Sequence, residues 1–247
     1  MKKIALLVVL LATVLTHVWA TAQFPDILIY EGKQYDLLTN PLEPFFEEHP
    51  DLRPTWTSTA LWRGYVASFE IKDNQLVVKD VVIPDYDKGD SSIFKVLFPN
   101  QEKVVITWLT GILTLPIGDM VEYVHMGYGS TYNKYKLMYI QEGNLVQEQD
   151  FTLDEYHQYR ASQFAEFKKT EQYTQAVKEL KESESFSQME EMLEHINEVK
   201  QSKDAAEGEE HSEPYTIEEM LDEFIFSFYS SQINAIYIPF PKEKKKK

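Results

Sequence analysis

Residues 135–156 read YKLMYIQEGNLVQEQDFTLDEY, from Tyr135 to Tyr156, and the spacing of apolar side chains changes partway along them. Tyr135 to Gln141 and Asn144 to Gln149 are two strand-like runs separated by Glu142-Gly143, a pair suited to a tight hairpin turn. At Phe151 the pattern switches. Thr152-Leu153-Asp154-Glu155 fits a capping box, in which the threonine hydroxyl takes one free backbone N–H and the glutamate reaches back to another. Phe151 and Tyr156 stand at the spacing of a hydrophobic staple around it. Leu153, Tyr156, Phe164, Phe167, Val177 and Leu180 then recur at helical intervals, predicting a long amphipathic helix to about Lys181.

Upstream of this switch the chain reads as strands. Asp26 to Tyr30 and Lys33 to Leu38 flank Glu31-Gly32. Gly64 to Lys72 alternates, with Tyr65, Ala67, Phe69 and Ile71 on one face, the period of a half-buried strand. Leu76 to Ile83, Ser92 to Phe98, Lys103 to Trp108, Ile112 to Leu115 and Met120 to Met126 are further strand candidates. Downstream, Ser187-Gln188-Met189-Glu190 and Thr216-Ile217-Glu218-Glu219 repeat the capping-box pattern and predict two more helices. The second of these carries Phe224, Ile225, Phe226 and Phe228 and should be buried nearly all round. Gln201 to Pro214 is polar, acidic and aperiodic, and predicts a loop. Ala235 to Ile238 predicts a short closing strand. The fold class expected is therefore α+β. Its β-rich half, residues 23–150, is an antiparallel β-sandwich or barrel-like structure, and the helical region, residues 151–241, packs on it as part of one domain.

The first residues point to export. Met1-Lys2-Lys3 is a short positive start, Ile4 to Leu15 is apolar, and Ala20-Thr21-Ala22 is the small-x-small pattern of a cleavage site, so residues 1–22 read as a signal peptide. The apolar run is twelve residues, short of the roughly 20 that span a bilayer. An uncleaved anchor is the competing reading. The chain has no cysteine, so packing without disulfides must hold it together; 4 Trp, 15 Tyr and 14 Phe supply the apolar area for that. The formal net charge is −16, although the tail at residues 242–247 is basic. So acidic a body repels phosphate backbones, and nucleic-acid binding is not expected. The lysine tail would touch anionic lipid head groups, at about 1 kcal/mol per lysine near a charged surface; a solvated chain end is the alternative.

Four blocks carry a family likeness: Tyr30-Glu31-Gly32-Lys33, Asn40-Pro41-Leu42-Glu43, Ser58 to Ala67 continuing into Phe69-Glu70-Ile71, and Tyr123 to Ser130. Together they resemble a family of uncharacterised bacterial proteins, over roughly residues 27–147. The resemblance implies a bacterial source and brings no activity and no functional residues with it.

Tyr123 to Tyr132 (YVHMGYGSTY) is the most unusual stretch in composition. Gly127 and Gly129 permit positive φ or close approach of another backbone. Tyr128 and Tyr132, with Trp62, Arg63 and His125, would form an aromatic and hydrogen-bonding platform of the kind that holds sugar rings. A glycine-bent strand corner with core aromatics is the alternative. Asp85, Asp87 and Asp90 put three carboxylates in one short loop that calcium would suit, against the alternative of a solvated Asp-Gly turn. No other cofactor is expected. No histidine falls in a metal-binding spacing, and no G-x-S-x-G is present. The expectation is an exported, non-enzymatic binding or interaction protein, periplasmic or secreted, taking a glycan, peptide or protein. A polymer hydrolase with paired carboxylates and a structural envelope factor are the alternatives.

Overall fold

The computed structural model describes residues 21–56, 58–85, 87–207 and 213–241. Residues 1–20 of the expected signal peptide, residues 1–22, and the tail at 242–247 lie outside the described residues. The chain divides into two compact units, residues 1–157 and 158–247, and the class is mixed α+β, with a mostly antiparallel sheet in the N-terminal half and helices in the C-terminal half.

In the first unit, β1 (Asp26–Tyr30), β2 (Lys33–Leu37), β3 (Val66–Lys72), β4 (Gln75–Ile83), β7 (Gly111–Pro116), β10 (Lys134–Gln141) and β11 (Asn144–Thr152) form the main path. Its order is β2-β1-β3-β4-β11-β10-β7, and the short strands β5 (Ser91–Ser92) and β6 (Val104–Val105) pair with β4. All pairs are antiparallel except β1 with β3. Three hairpins turn on consecutive positive-φ residues, Glu31-Gly32, Asp73-Asn74 and Glu142-Gly143, as the twist-matched two-residue turn requires. The join between β4 and β11 is a single pair, Gln75 with Asn144. At the path's other end the Leu38 N–H donates to Thr114 O at 2.9 Å, so the sheet curls back on itself around its core.

That core follows the alternation. Tyr65, Ala67 and Phe69 are wholly buried, and Leu28, Leu76, Leu113, Leu115, Met138 and Ile140 join them from neighbouring strands. Each such side chain stabilises the fold by about 1.5–3 kcal/mol. Two short helices plug it: α1 (Glu43–Glu48) contributes Phe46, and α2 (Phe94–Leu97) contributes Phe94 and Leu97. Helix α2 corrects the strand expected at Ser92 to Phe98. Phe94, Leu97 and Phe98 fall at i, i+3 and i+4, which a helical turn buries together and a strand would split between faces. Strands are also shorter than expected at Lys103 to Trp108 and at Met120 to Met126, where only β6 and β8 (Met120–Glu122) form; β8 pairs with β9 (Thr131–Tyr132) in a separate two-stranded sheet.

Helix α3 (Leu153–Phe167) starts where β11 ends, on the expected capping box: the Thr152 N–H donates to Glu155 Oε2 at 2.9 Å and the Glu155 N–H to Thr152 Oγ1 at 3.3 Å. It does not run on to Lys181. Thr170 caps a new helix, α4 (Glu171–Glu182), by accepting from the Tyr173 N–H, and the break lets Phe167, Ala176, Ile225 and Ile233 meet in one cluster. Helix α5 (Ser185–Glu207) is already under way at Ser187, so the second box does not form. This helix also continues through the first half of the expected loop at Gln201 to Pro214, as the helix-favouring run Lys203-Asp204-Ala205-Ala206-Glu207 allows. The box at Thr216 does open α6 (Ile217–Phe228). Leu221 and Ile225 are buried there, but Phe228 is exposed. After α7 (Ser230–Asn234) no strand forms at Ala235 to Ile238. The Ile236 and Ile238 carbonyls instead accept from Gln163 Nε2 and the Tyr159 hydroxyl. Among the described residues no helix is long and apolar enough to cross a membrane.

Candidate functional site

Asp26 opens β1 in phase with Leu28, so the alternation sends its carboxylate inward. Arg63 precedes β3 and is turned in by Gly64, whose φ is +77°. A Cβ on Gly64 would lie 2.7 Å from Pro54 O, so only glycine fits this turn. Both charged side chains are fully removed from water. Arg63 Nη2 donates to Phe24 O at 2.8 Å and to Asp26 Oδ1 at 3.3 Å, while Nη1 donates to the Tyr128 hydroxyl at 2.7 Å. That hydroxyl donates in turn to Asn40 Oδ1 at 2.9 Å. Asp26 Oδ1 also accepts from the Ala67 N–H at 2.9 Å. The Tyr65 hydroxyl donates to Glu43 Oε1, and Arg53 grips the Glu43 carboxylate with both terminal nitrogens.

Burial pushes the Asp26 carboxyl up to about 6, against the pull of Arg63 and the Ala67 N–H. Burial also works against the Arg63 charge, but Asp26, Tyr128, Tyr65 and Glu43 more than offset it, and its pKa rises. Burial raises the Tyr128 hydroxyl as well. The Asp26–Arg63 pair is sealed from solvent and offers no charge to a ligand, while Glu43 and Arg53 at the edge of the knot, which joins β1, β3, α1 and the 123–130 loop, keep partial exposure.

Beside this knot the surface is aromatic. Gln23 N–H donates to Gly127 O at 3.0 Å, Ala22 bridges Gly127, and Phe24 N–H donates to Ala60 O. Gln23 then pins the 58–63 segment, giving Nε2 to Thr59 O at 2.6 Å and taking the Trp62 N–H on Oε1 at 3.0 Å. These ties frame a depression of about 490 Å³ lined by Thr21, Gln23, Trp56, Ser58, Thr59, Trp62 and Gly127. Trp56 is 63% and Trp62 50% exposed, and Phe24, Tyr123 and Met126 also stand open to solvent.

The residues expected to form one platform are therefore divided. Trp62 lines the depression. Arg63 lies beneath the surface and Tyr128 spends its hydroxyl on Arg63 and Asn40. His125 is exposed, with its ring edge-on to Tyr123 at 4.6 Å. Tyr132 sits in β9, its N–H donating to the Tyr135 hydroxyl and its ring packed edge-on against that residue. Asp85 Oδ1 accepts from the N–H groups of Asp87 and Lys88 in a closed turn. Among the described residues no group of three or more His, Asp or Glu is placed to hold a metal ion, so Asp85, Asp87 and Asp90 do not converge. Sequence reasoning missed Trp56 and Gln23, which lie outside any motif. It also missed Asp26, whose signal was legible: an acid in the buried phase of a strand.

No protein-family model, curated protein or solved structure matches this chain.

Proposed function

We propose that the protein is an exported, non-enzymatic binding protein whose contact surface is the aromatic end of its sheet unit. One observation carries the reading: two tryptophans are held half-exposed or more around a depression. Exposing indole to water forfeits burial energy, and large open apolar groups grouped together mark interaction sites. The leader-like start of the chain supports an address outside the cytoplasm, in periplasm or medium, and the four blocks support a bacterial source. The polymer-hydrolase reading has one favourable sign, the raised Asp26 carboxyl. Yet that group has no access to solvent, and no carboxylate lines the depression. The lysine tail would add a weak contact with anionic lipid.

The test is retention of envelope extract and of a glycan panel on the protein, expressed with its own leader and recovered from the extracytoplasmic fraction. Trp56→Ala and Trp62→Ala should each lose what the native protein retains. Equal retention by all three proteins, or recovery of the chain from the cytosol with Met1 still attached, overturns the proposal. For the tail, flotation with anionic vesicles at low salt should fall on removing residues 242–247.

A further inference from the structure

We infer that Gln23 is a guarded modification site: the fold holds open the amino terminus left by leader removal and slows its closure to pyroglutamate. The inference rests on the export reading above, with the cut after Ala22. Cleavage there makes Gln23 the first residue and frees its α-amine. An N-terminal glutamine closes on itself. The α-nitrogen bonds to its own Cδ, the Cδ–Nε2 bond breaks, and Nε2 leaves as ammonia with a proton from the attacking amine. No co-reactant is consumed. The rate then depends on how often the amine reaches the carboxamide carbon in the geometry for attack.

Both reacting groups are engaged elsewhere in the fold. The Gln23 backbone nitrogen donates to Gly127 O at 3.0 Å. Nε2 donates to Thr59 O at 2.6 Å, and Oε1 accepts the Trp62 N–H at 3.0 Å. The bond from Nε2 to Thr21 O leaves with the leader; the other three keep their partners, which lie far along the chain. The next residue is pinned as well. The Phe24 N–H donates to Ala60 O at 2.9 Å, and Phe24 O accepts from Arg63 Nη2 at 2.8 Å. Turning the carboxamide onto the α-nitrogen therefore breaks the ties to Thr59 and Trp62 together. Losing two such hydrogen bonds slows closure by roughly thirtyfold. Closure would also undo the aromatic surface. Pyroglutamate has no Nε2 to give to Thr59 O and its carbonyl is fixed in the ring, so the 58–63 segment loses its anchor beside Trp62.

The experiment follows ammonia loss at Gln23 by intact mass and by the mass of the N-terminal peptide. The protein is expressed with its own leader and recovered from the extracytoplasmic fraction. It is held at about pH 8.5, above the ~7.7–8.0 at which an α-amine loses its proton. One half of the sample stays folded and the other is unfolded in guanidinium chloride. The folded half should close roughly thirtyfold more slowly. Trp62→Pro deletes the N–H that holds Oε1; if circular dichroism shows it folded, it should close faster than the native protein. An unchanged rate in that folded variant overturns the inference. Equal rates in the folded and unfolded halves overturn it whether or not Trp62→Pro folds, and the export reading then stands. A chain recovered from the cytosol with Met1 attached overturns the export reading and the inference with it.

Discussion

Asp26 and Arg63 are both fully buried, yet they meet through one long contact, Nη2 to Oδ1 at 3.3 Å. Asp26 Oδ2 and Arg63 Nε have no hydrogen-bond partner among the described residues. A buried ion pair offsets its desolvation only when its geometry is close and its remaining donors and acceptors are satisfied. This one meets neither condition fully, which is the physical reason that burial wins at Asp26.

The consequence is a pH-dependent stability. The Asp26 pKa is raised from 3.8 to about 6, so the folded state binds this proton more tightly than the unfolded chain. The stabilising contribution is complete below about pH 4 and is lost as pH rises through 6. A shift of this size corresponds to about 3 kcal/mol between those limits. Urea melts from pH 4 to 7 should show that fall, and Asp26→Asn should remove it. Parallel pH profiles for the two proteins would rule it out.

Arg63→Met leaves Asp26 buried without its counter-charge and should cost about 3–5 kcal/mol at pH 7. The double variant Asp26→Leu with Arg63→Met removes both charges and should be less destabilised than Arg63→Met alone. A double-mutant cycle by denaturant unfolding measures this; additive losses would show that the two groups do not act as a pair.

Tyr128→Phe removes the hydroxyl that accepts from Arg63 and donates to Asn40. Buried Arg63 and half-buried Asn40 each lose a partner, at about 1–3 kcal/mol in all. Proteolysis should concentrate at residues 123–130, because that hydroxyl ties the loop to the knot. An unchanged cleavage pattern would contradict it.

The caps should separate cleanly. Thr216→Ala breaks a formed capping box and should cost about 1 kcal/mol. Ser187→Ala sits inside α5 and should change stability by less than about 0.5 kcal/mol. Equal effects in thermal melts would refute the distinction.

Gly64→Ala forces a side chain into φ +77° with its Cβ against the Pro54 carbonyl. The loss should exceed the ~1 kcal/mol typical of a tolerated glycine exchange, and the variant should show a lowered thermal midpoint together with quenched tryptophan order in near-ultraviolet circular dichroism.

Local rules made the hairpins, the alternation of β3 and the helix starts at Thr152 and Thr216 legible, because each depends on neighbours a few residues away. The same rules failed at Ser187, where the helix had begun two residues earlier on α5. They failed again at Ser92 to Phe98, where β-favouring residues folded as a helical turn to bury Phe94, Leu97 and Phe98 together. At Ser92 to Phe98 propensity gave way to packing.

The order of residues alone determined the α+β class, the acidity, the lack of disulfides and the tight hairpin turns, since these follow from composition and short-range periodicity. Only the tertiary structure decided that Arg63 is a buried tie and Trp62 an open surface, although the two are adjacent. It also brought Trp56 and Gln23 to that surface. Which side of the backbone meets water depends on partners far along the chain, 65 residues apart for Arg63 and Tyr128, and no local pattern encodes that choice.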